Sequence, residues 1–535
     1  MRKVILLMAM TVSMAVMAQD FQIIKGDCLP DPDPSPAGVG NRVAGVRAKL
    51  PSRITTWDKD KTYHQLVILF SFTDTDFKEE HTRDYYDRIL NEPGFNKGKG
   101  PGCVADYYRV QSGGLLNLQF DVYGPYKVST KAQPYENPTS STRNYGRDAM
   151  TEATEQFLEE HPEIDFSQYD WTGDGYVNQV IYVYAGYAGN QSGAYGHIWP
   201  NTSSFSSLTT PDGKTISNYT ASGELFVKNT RACGIGTICH EFTHSLGLPD
   251  IYPTGGNLYS ALDEWDLMDG GNFTNWGWCP PNFTPLEKML LGWLTPVELT
   301  EPTTITNLQP VTAGGKVYLI RHTANEYLLV ENRQWTGWDC CSPGQGLVVY
   351  SVNYNASKWS ANTVNAYNSE QQFGFRLMHA DNLDFTSWRT LGTARKKQYV
   401  DETNRLHNTW LSTSAYPWST DSTEFVNCAL TNVSTPQTRM INRNSDKSLL
   451  LSKPITDITM AADGTVSFTF LGVKSVGDGD ANADSQVTIT DAVGVVDYIL
   501  GNPDANFDPK AADVNGDNVV NITDAVGIVD IILEK

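Results

Sequence analysis

The chain has 535 residues, 40% hydrophobic and 11% aromatic. That is too long for one core and too apolar for wholesale disorder, so three or more folded units are expected. Against 40 Lys and Arg stand 61 Asp and Glu, a net charge of -21, and without a basic surplus to neutralise phosphates nucleic acid is excluded as a natural partner.

Residues 1–18 read as a signal peptide: Arg2 and Lys3 give the charged start, Val4 to Val16 the apolar run, and Val16-Met17-Ala18 the small-x-small cleavage site. The run is short for a spanning helix, and no later segment is apolar for long enough to cross a bilayer. A secreted or cell-surface-associated protein with no membrane span is expected. Residues 19–60 form a linker or removable pro-segment, marked by Pro30-Asp31-Pro32-Asp33-Pro34-Ser35-Pro36. Cys28 in this stretch could cap a metal site as a thiolate and hold an enzyme latent, although an ordinary disulfide or idle thiol is the plainer reading. In an exported protein some of the other cysteines (103, 233, 239, 279, 340, 341 and 428) should be disulfide-bonded. Cys340 and Cys341 should pair with other partners rather than each other, and Cys233 and Cys239 could brace the approach to the helix described below.

From 61 to 300 the pattern predicts an α+β unit. Leu66 to Phe70 reads as a buried strand, Val104 to Val110 as a helix, Leu115 to Val122 as a strand, Arg147 to Glu160 as an amphipathic helix and Val177 to Ala185 as a strand. A further helix is expected from near Arg231 to Gly247. From 301 to 473 helical periodicity fades. Strands are expected at 317–320, 327–330, 347–350 and 465–470, which together suggest a β-sandwich-like accessory unit. Residues 474–535 form an acidic tail whose apolar helices are expected at 495–500 and 528–533; between 478 and 535 twelve acidic residues face two lysines.

The helix near 240 carries His240-Glu241-Phe242-Thr243-His244-Ser245-Leu246-Gly247-Leu248-Pro249-Asp250. His240 and His244, one turn apart on one face, can both grip one zinc ion. Glu241 can act as general base on a water at that ion. Gly247 lets the chain leave the helix and carry Asp250 toward a third ligand position, for which Asp263, Glu264 and Asp266 are rivals. Trp265-Asp266-Leu267-Met268-Asp269-Gly270-Gly271 is a Gly-closed turn whose Met268 could form a polarisable floor under the imidazoles. Tyr252 or Tyr259 could steady an oxyanion, although such a residue is more often simple packing.

The tail holds two loops 33 residues apart with oxygen ligands at positions one, three, five, nine and twelve. The first offers Asp480, Asn482, Asp484, Thr488 and Asp491, with the Gln486 carbonyl at position seven. The second offers Asp513, Asn515, Asp517, Asn521 and Asp524, with the Val519 carbonyl. Two calcium sites are expected. Ser485 and Asn518 stand where glycine is usual at position six, and Asn tolerates the left-handed turn better than Ser. Asp170, Thr172 and Asp174 could hold a third calcium, or form an acidic Gly turn without one.

The extended motif with its Met-turn resembles the metzincin clan of zinc endopeptidases, and more closely the M6 family, the immune inhibitor A-type secreted peptidases. Residues 65–74, Ser112-Gly113-Gly114 with 121–126, 286–293, 326–334 and 343–347 carry the same resemblance, which covers roughly 60–380. It implies a metzincin-like fold and zinc-dependent proteolysis of protein substrates. Most metzincins end the motif in His, whereas this chain has Asp250, still a sound zinc ligand. Asp at position twelve and one helix after each loop make the tail resemble a dockerin module. That implies an all-α calcium-binding domain that docks onto a cohesin of a scaffold or cell-surface protein; a calcium-stabilised cap without a partner is the alternative. A catalytically inactive adhesion or scaffold-borne protein that keeps the peptidase fold is the competing reading of the whole chain.

Overall fold

The structure, a computed structural model, describes Gly26–Asp27 and residues 57–533, apart from 96–99, 135–144, 191–195, 227–230, 255–260, 368, 385–386, 388–398, 401–405, 408–410, 420–425, 445–446, 472–476, 485 and 517–518. Residues 1–18, Cys28, Tyr259, Ser485, Asp517 and Asn518 therefore lie outside the described residues. The chain divides into two compact units. One takes residues up to Thr295 with 337–342 and 355–368, and the other takes 296–336, 343–354 and everything from 369 onward.

The first unit is built on a six-stranded sheet. Its strands are β1 (Gly26–Asp27), β2 (Thr62–Ser71), β3 (Asn117–Lys127), β4 (Val180–Tyr187), β5 (Asn201–Thr209) and β6 (Thr215–Leu225), in the order β1-β5-β6-β4-β2-β3. β3, β2, β4 and β6 run parallel, while β5 is antiparallel to β6. β1 pairs antiparallel with β5, aligning Gly26 with Thr202 and Asp27 with Asn201. β2 and β4 are unbroken apolar runs because a parallel sheet is covered on both faces. On one face Leu66, Ile68 and Phe70 of β2 and Tyr182 and Tyr184 of β4 share a core with Ala149, Met150, Ala153 and Phe157 of the helix Tyr145–Glu160. The helices Val104–Gln111 and Gly236–Ser245 pack together: Phe242 meets Tyr108 edge-on at 5.1 Å, and the Tyr108 hydroxyl contacts Cys239 O at 2.6 Å and Thr243 Oγ1 at 2.8 Å.

Two expectations need correction here. The helix begins at Gly236, not near Arg231, because 231–233 serve as an extended partner for the end of β6: Phe226 N donates to Arg231 O, Cys233 N donates to Glu224 O, and Leu225 bridges Ala232. Gly236 then starts the helix hard against Asn272, whose carbonyl oxygen would lie 2.0 Å from any Cβ there. Among the described residues no disulfide joins the seven cysteines, where some were expected to be bonded. Cys103 works as a helix N-cap, its Sγ accepting from Asp106 N at 3.4 Å.

The second unit opens with two sheets. The five-stranded one orders Phe375–Leu377, Gly346–Asn353, Glu326–Arg333, Tyr318–Arg321 and Val297–Glu298; the three-stranded one orders Ile455–Met460, Val466–Phe470 and Thr303–Leu308. Ile320, Leu328, Val330 and Val349 of the first share one buried cluster with Ile455, Ile458, Val466, Phe468 and Phe470 of the second, which is the sandwich arrangement. Asn332 Nδ2 donates to Leu308 O and to Gly464 O, both at 2.8 Å. The tail contributes helices Ile489–Ile499, Pro509–Ala512 and Ile522–Leu533 around its own small core of Ala481, Ala492, Val495, Ala512, Val514, Ala525 and Ile528. Both long tail helices start about two turns earlier than their apolar runs, at the loop residues that cap them. No described helix is long and apolar enough to cross a membrane.

Candidate metal centre

Helical spacing sets His240 and His244 one above the other, their rings perpendicular at 4.9 Å between centroids. Gly247, at φ +101, turns the chain back in a conformation that favours glycine. Asp250 then arrives with Oδ1 3.2 Å from His240 Nε2 and 3.3 Å from His244 Nε2, all three side chains buried. Asp263, Glu264 and Asp266 do not join this group; His240, His244 and Asp250 are the residues whose ligand atoms converge.

The hydrogen bonds around the imidazoles fix their chemistry. His240 Nδ1 lies 2.8 Å from Leu267 O and His244 Nδ1 2.7 Å from Leu248 O. A carbonyl only accepts, so each Nδ1 carries the proton and each Nε2 presents a lone pair. Burial pushes the His240 pKa below its ordinary value, which keeps that ring neutral. His240 Nε2, His244 Nε2 and Asp250 Oδ1 are buried and have no hydrogen-bond partner. Three lone pairs facing one another repel unless a cation stands among them. On a tetrahedral zinc ion with bonds of about 2.0–2.1 Å, ligand atoms sit about 3.3 Å apart, which matches the spacing here. The residues fit zinc.

Two residues absent from the sequence reading complete the surroundings. Asn362 Nδ2 donates to Asp250 Oδ2 at 2.6 Å and its Oδ1 accepts from Asp250 N at 2.7 Å, so one side chain holds both the backbone and the carboxylate of Asp250. Asn362 stands at φ +56, a left-handed position that Asn tolerates. Thr202 of β5 donates from Oγ1 to Glu241 Oε2 at 3.0 Å and also reaches Glu241 O at 2.5 Å, which ties Glu241 to β5. No local pattern marks either residue, since they come from elements far away in sequence.

The Met-turn lies against this group. Leu267 O receives the His240 proton, and Met268 O accepts from Ile251 N at 2.8 Å. Met268 is fully buried. Asp266 Oδ1 accepts from Met268 N at 2.5 Å, and burial together with neighbouring Glu287 raises its pKa well above the usual carboxylate range. Tyr252 is buried. Asp170 accepts from Asp174 N and Gly175 N, and Lys214 Nζ lies 2.8 Å from its Oδ2, while Asp174 accepts from Tyr176 N. Of the three candidate calcium ligands there, Asp170 is thus already paired with Lys214.

In the tail, the position-twelve carboxylates organise both loops. Asp491 accepts from Asn482 N and Thr488 N, and Asp524 accepts from Asn515 N and Asn521 N, both carboxylates fully buried. Asp480 and Asn482 both accept from Asp484 N, and Asp484 accepts from Gln486 N. Position four is left-handed in each loop, Ala483 at φ +57 and Gly516 at φ +72. The helices leave Ile489, Val493 and Leu500 exposed on one and Ile522, Val526 and Leu533 on the other, each pair 33 residues apart.

Two buried imidazoles and a buried carboxylate whose ligand atoms converge form a candidate metal centre on a mixed α/β scaffold. Residues 59–288 match the family described as Immune inhibitor A peptidase M6, catalytic domain, and residues 478–532 match the Dockerin type I domain. The chain therefore carries an M6 peptidase catalytic domain and a C-terminal type I dockerin. Such domains imply zinc and calcium respectively. Among similar proteins, Immune inhibitor A of Bacillus thuringiensis subsp. alesti is 25% identical over 310 residues, 48% of this chain and 44% of the relative. Pre-pro-metalloprotease PrtV of Vibrio cholerae serotype O1 (strain M66-2) is 24% identical over 278 residues, 43% of this chain and 30% of the relative. The chain thus aligns with less than half the length of either relative.

Proposed function

We propose that this protein is a secreted, metzincin-type zinc endopeptidase that hydrolyses peptide bonds in protein substrates. In this reading residues 1–18 are a signal peptide, 19–60 a pro-segment, 61–300 the catalytic domain, 301–473 the accessory domain and 474–535 an all-α dockerin. The observation that carries it is the convergence of His240 Nε2, His244 Nε2 and Asp250 Oδ1, all buried, with Glu241 next to His240 on the same helix. These three residues hold the zinc. Bound there, zinc supplies Lewis acidity, lowering the pKa of a water toward about 7 and polarising the scissile carbonyl.

The chain's own groups do the rest. Glu241 takes the proton of the attacking water and passes it to the departing amine. Thr202 Oγ1 keeps the Glu241 carboxylate oriented. The Leu267 and Leu248 carbonyls hold both imidazoles in the ligating tautomer, and Asn362 keeps Asp250 in position. In the tail, Asp480, Asn482, Asp484, Gln486, Thr488 and Asp491 hold one calcium ion and Asp513, Asn515, Asp517, Val519, Asn521 and Asp524 a second. The matched exposed apolar residues of the two tail helices support docking to a cohesin-type partner on a scaffold or cell surface.

The test is Glu241→Gln. Casein hydrolysis should fall by about 10²–10⁴-fold while zinc content and folding persist. Undiminished hydrolysis by the variant, or a wild type that holds zinc, lacks its pro-segment and cleaves no protein, would overturn the proposal.

A further inference from the structure

Outside the zinc site, one other group of three metal-ligating side chains converges among the described residues: Cys279, Cys340 and Cys341. All three belong to the first unit, Cys279 through the segment after the Met-turn and the pair through the excursion 337–342. Cys279 Sγ lies 3.3 Å from Cys340 Sγ, and Cys340 Sγ lies 3.7 Å from Cys341 Sγ. Cys279 and Cys341 are buried and Cys340 half-buried.

The two segments are already held in register beside the sulfurs. Asp339 accepts from Asn282 N at 3.0 Å and from Asn282 Nδ2 at 2.7 Å, and Trp338 stacks edge-on against Tyr107 at 5.0 Å. The thiols are therefore presented by a fixed framework.

A disulfide brings two sulfurs to about 2.05 Å, and none of these pairs is near that. On a tetrahedral ion with metal–sulfur bonds of about 2.3 Å, neighbouring thiolates lie about 3.8 Å apart. One spacing here matches and the other lies a few tenths of an ångström inside it. The odd number matters as well. A disulfide between any two of these cysteines would leave the third thiol in reach of it, and thiolate attack would then exchange the bond between partners. Three thiolates around one soft ion leave no such reactive remainder.

We propose that Cys279, Cys340 and Cys341 form a second metal site, distinct from the catalytic one, for a thiophilic ion of filled d shell. Copper(I) is satisfied by three thiolates, and zinc(II) by the same three with one further ligand on the half-buried Cys340 side. On binding, each thiol releases its proton to solvent and no electrons are transferred. The ion pins the segment that follows the Met-turn to the 337–342 excursion.

The probe is cadmium(II) added to the full-length protein after reduction, chelation and anaerobic desalting. An ultraviolet thiolate-to-cadmium band should rise and saturate at one equivalent, and three thiols should lose their reaction with Ellman's reagent. The zinc site holds no sulfur, and Cys428, whose Sγ lies 3.6 Å from Gly516 O in the second tail loop, is one thiol and cannot account for the protection of three. Cys279→Ser should abolish it. If that variant fails to fold, the count of protected thiols in the wild type decides alone. A parallel competition against a copper(I) chelator distinguishes the ions: one tightly held copper(I) identifies copper, and retention of zinc without copper identifies zinc. Absence of the band in fully reduced protein, or peptide maps of native protein showing a single stable disulfide among the three, would overturn the proposal.

Discussion

Asn362 lies 112 residues beyond Asp250, yet it binds that residue's amide and its carboxylate together. Removing such a partner of a metal ligand typically costs 10–100-fold in metal affinity. Asn362→Leu should lower zinc affinity by about that factor, measured by competition with a chelator, while leaving the far-ultraviolet spectrum unchanged. The sequence reading named the three converging residues because helical spacing and the Gly247 turn are local. It missed Asn362 and Thr202 because a side chain's aim across the fold leaves no mark in nearby residues. His379 offers a second residue-scale prediction. Burial lowers its pKa to about 4, against about 6.5 for an unfolded histidine. As pH falls from about 6.5 to 4, the unfolded chain takes up a proton that the folded one refuses, so this stability is present above the window and lost within it. Asp381, raised by burial to about 6, acts in the opposite direction below pH 6. His379→Gln should therefore flatten the acid loss of stability over that range, as read from denaturant midpoints at stepped pH.

The helix Gly236–Ser245 stays in place through its apolar side. Phe242 is fully buried against Tyr108, Phe120 and Trp171. Phe242→Ala should cost about 3–5 kcal/mol, seen as a lower denaturant midpoint. The strands of unbroken Val, Ile, Leu and Tyr were legible from the sequence. β5, with Ser and Thr at six of its nine positions, was not, because its pairing to β6 rather than its apolar content makes it a strand. The zinc helix was read too long for a related reason: residues 231–233 carry helical propensity but spend their backbone groups on β6. In the tail, Asp491 and Asp524 each draw two backbone amides into a loop. Asp491→Ala or Asp524→Ala should reduce bound calcium in the full chain from two ions to one, by equilibrium dialysis, and the double variant to none.

At the scale of the molecule, the repeat in the tail presents two near-equivalent faces, since exposed Ile489, Val493 and Leu500 recur as Ile522, Val526 and Leu533. A partner that uses either face should survive Val493→Asp or Val526→Asp alone and be lost when both are changed, as measured by surface binding to a cohesin. Composition shifts along the chain from mixed, to β-rich, to acidic repeat. The excursions 337–342 and 355–368 were not legible, because their burial with the first unit depends on Trp338, Asp339, Asn362 and Asn365 finding partners there, not on any shift in composition. All of the proposed chemistry depends on what stands between three buried atoms. Diffraction data collected across the zinc absorption edge test this most directly. The account predicts one anomalous peak about 2 Å from His240 Nε2, His244 Nε2 and Asp250 Oδ1; zinc-replete crystals with no peak there, or with the metal held by Asp263, Glu264 or Asp266 in place of Asp250, would contradict it.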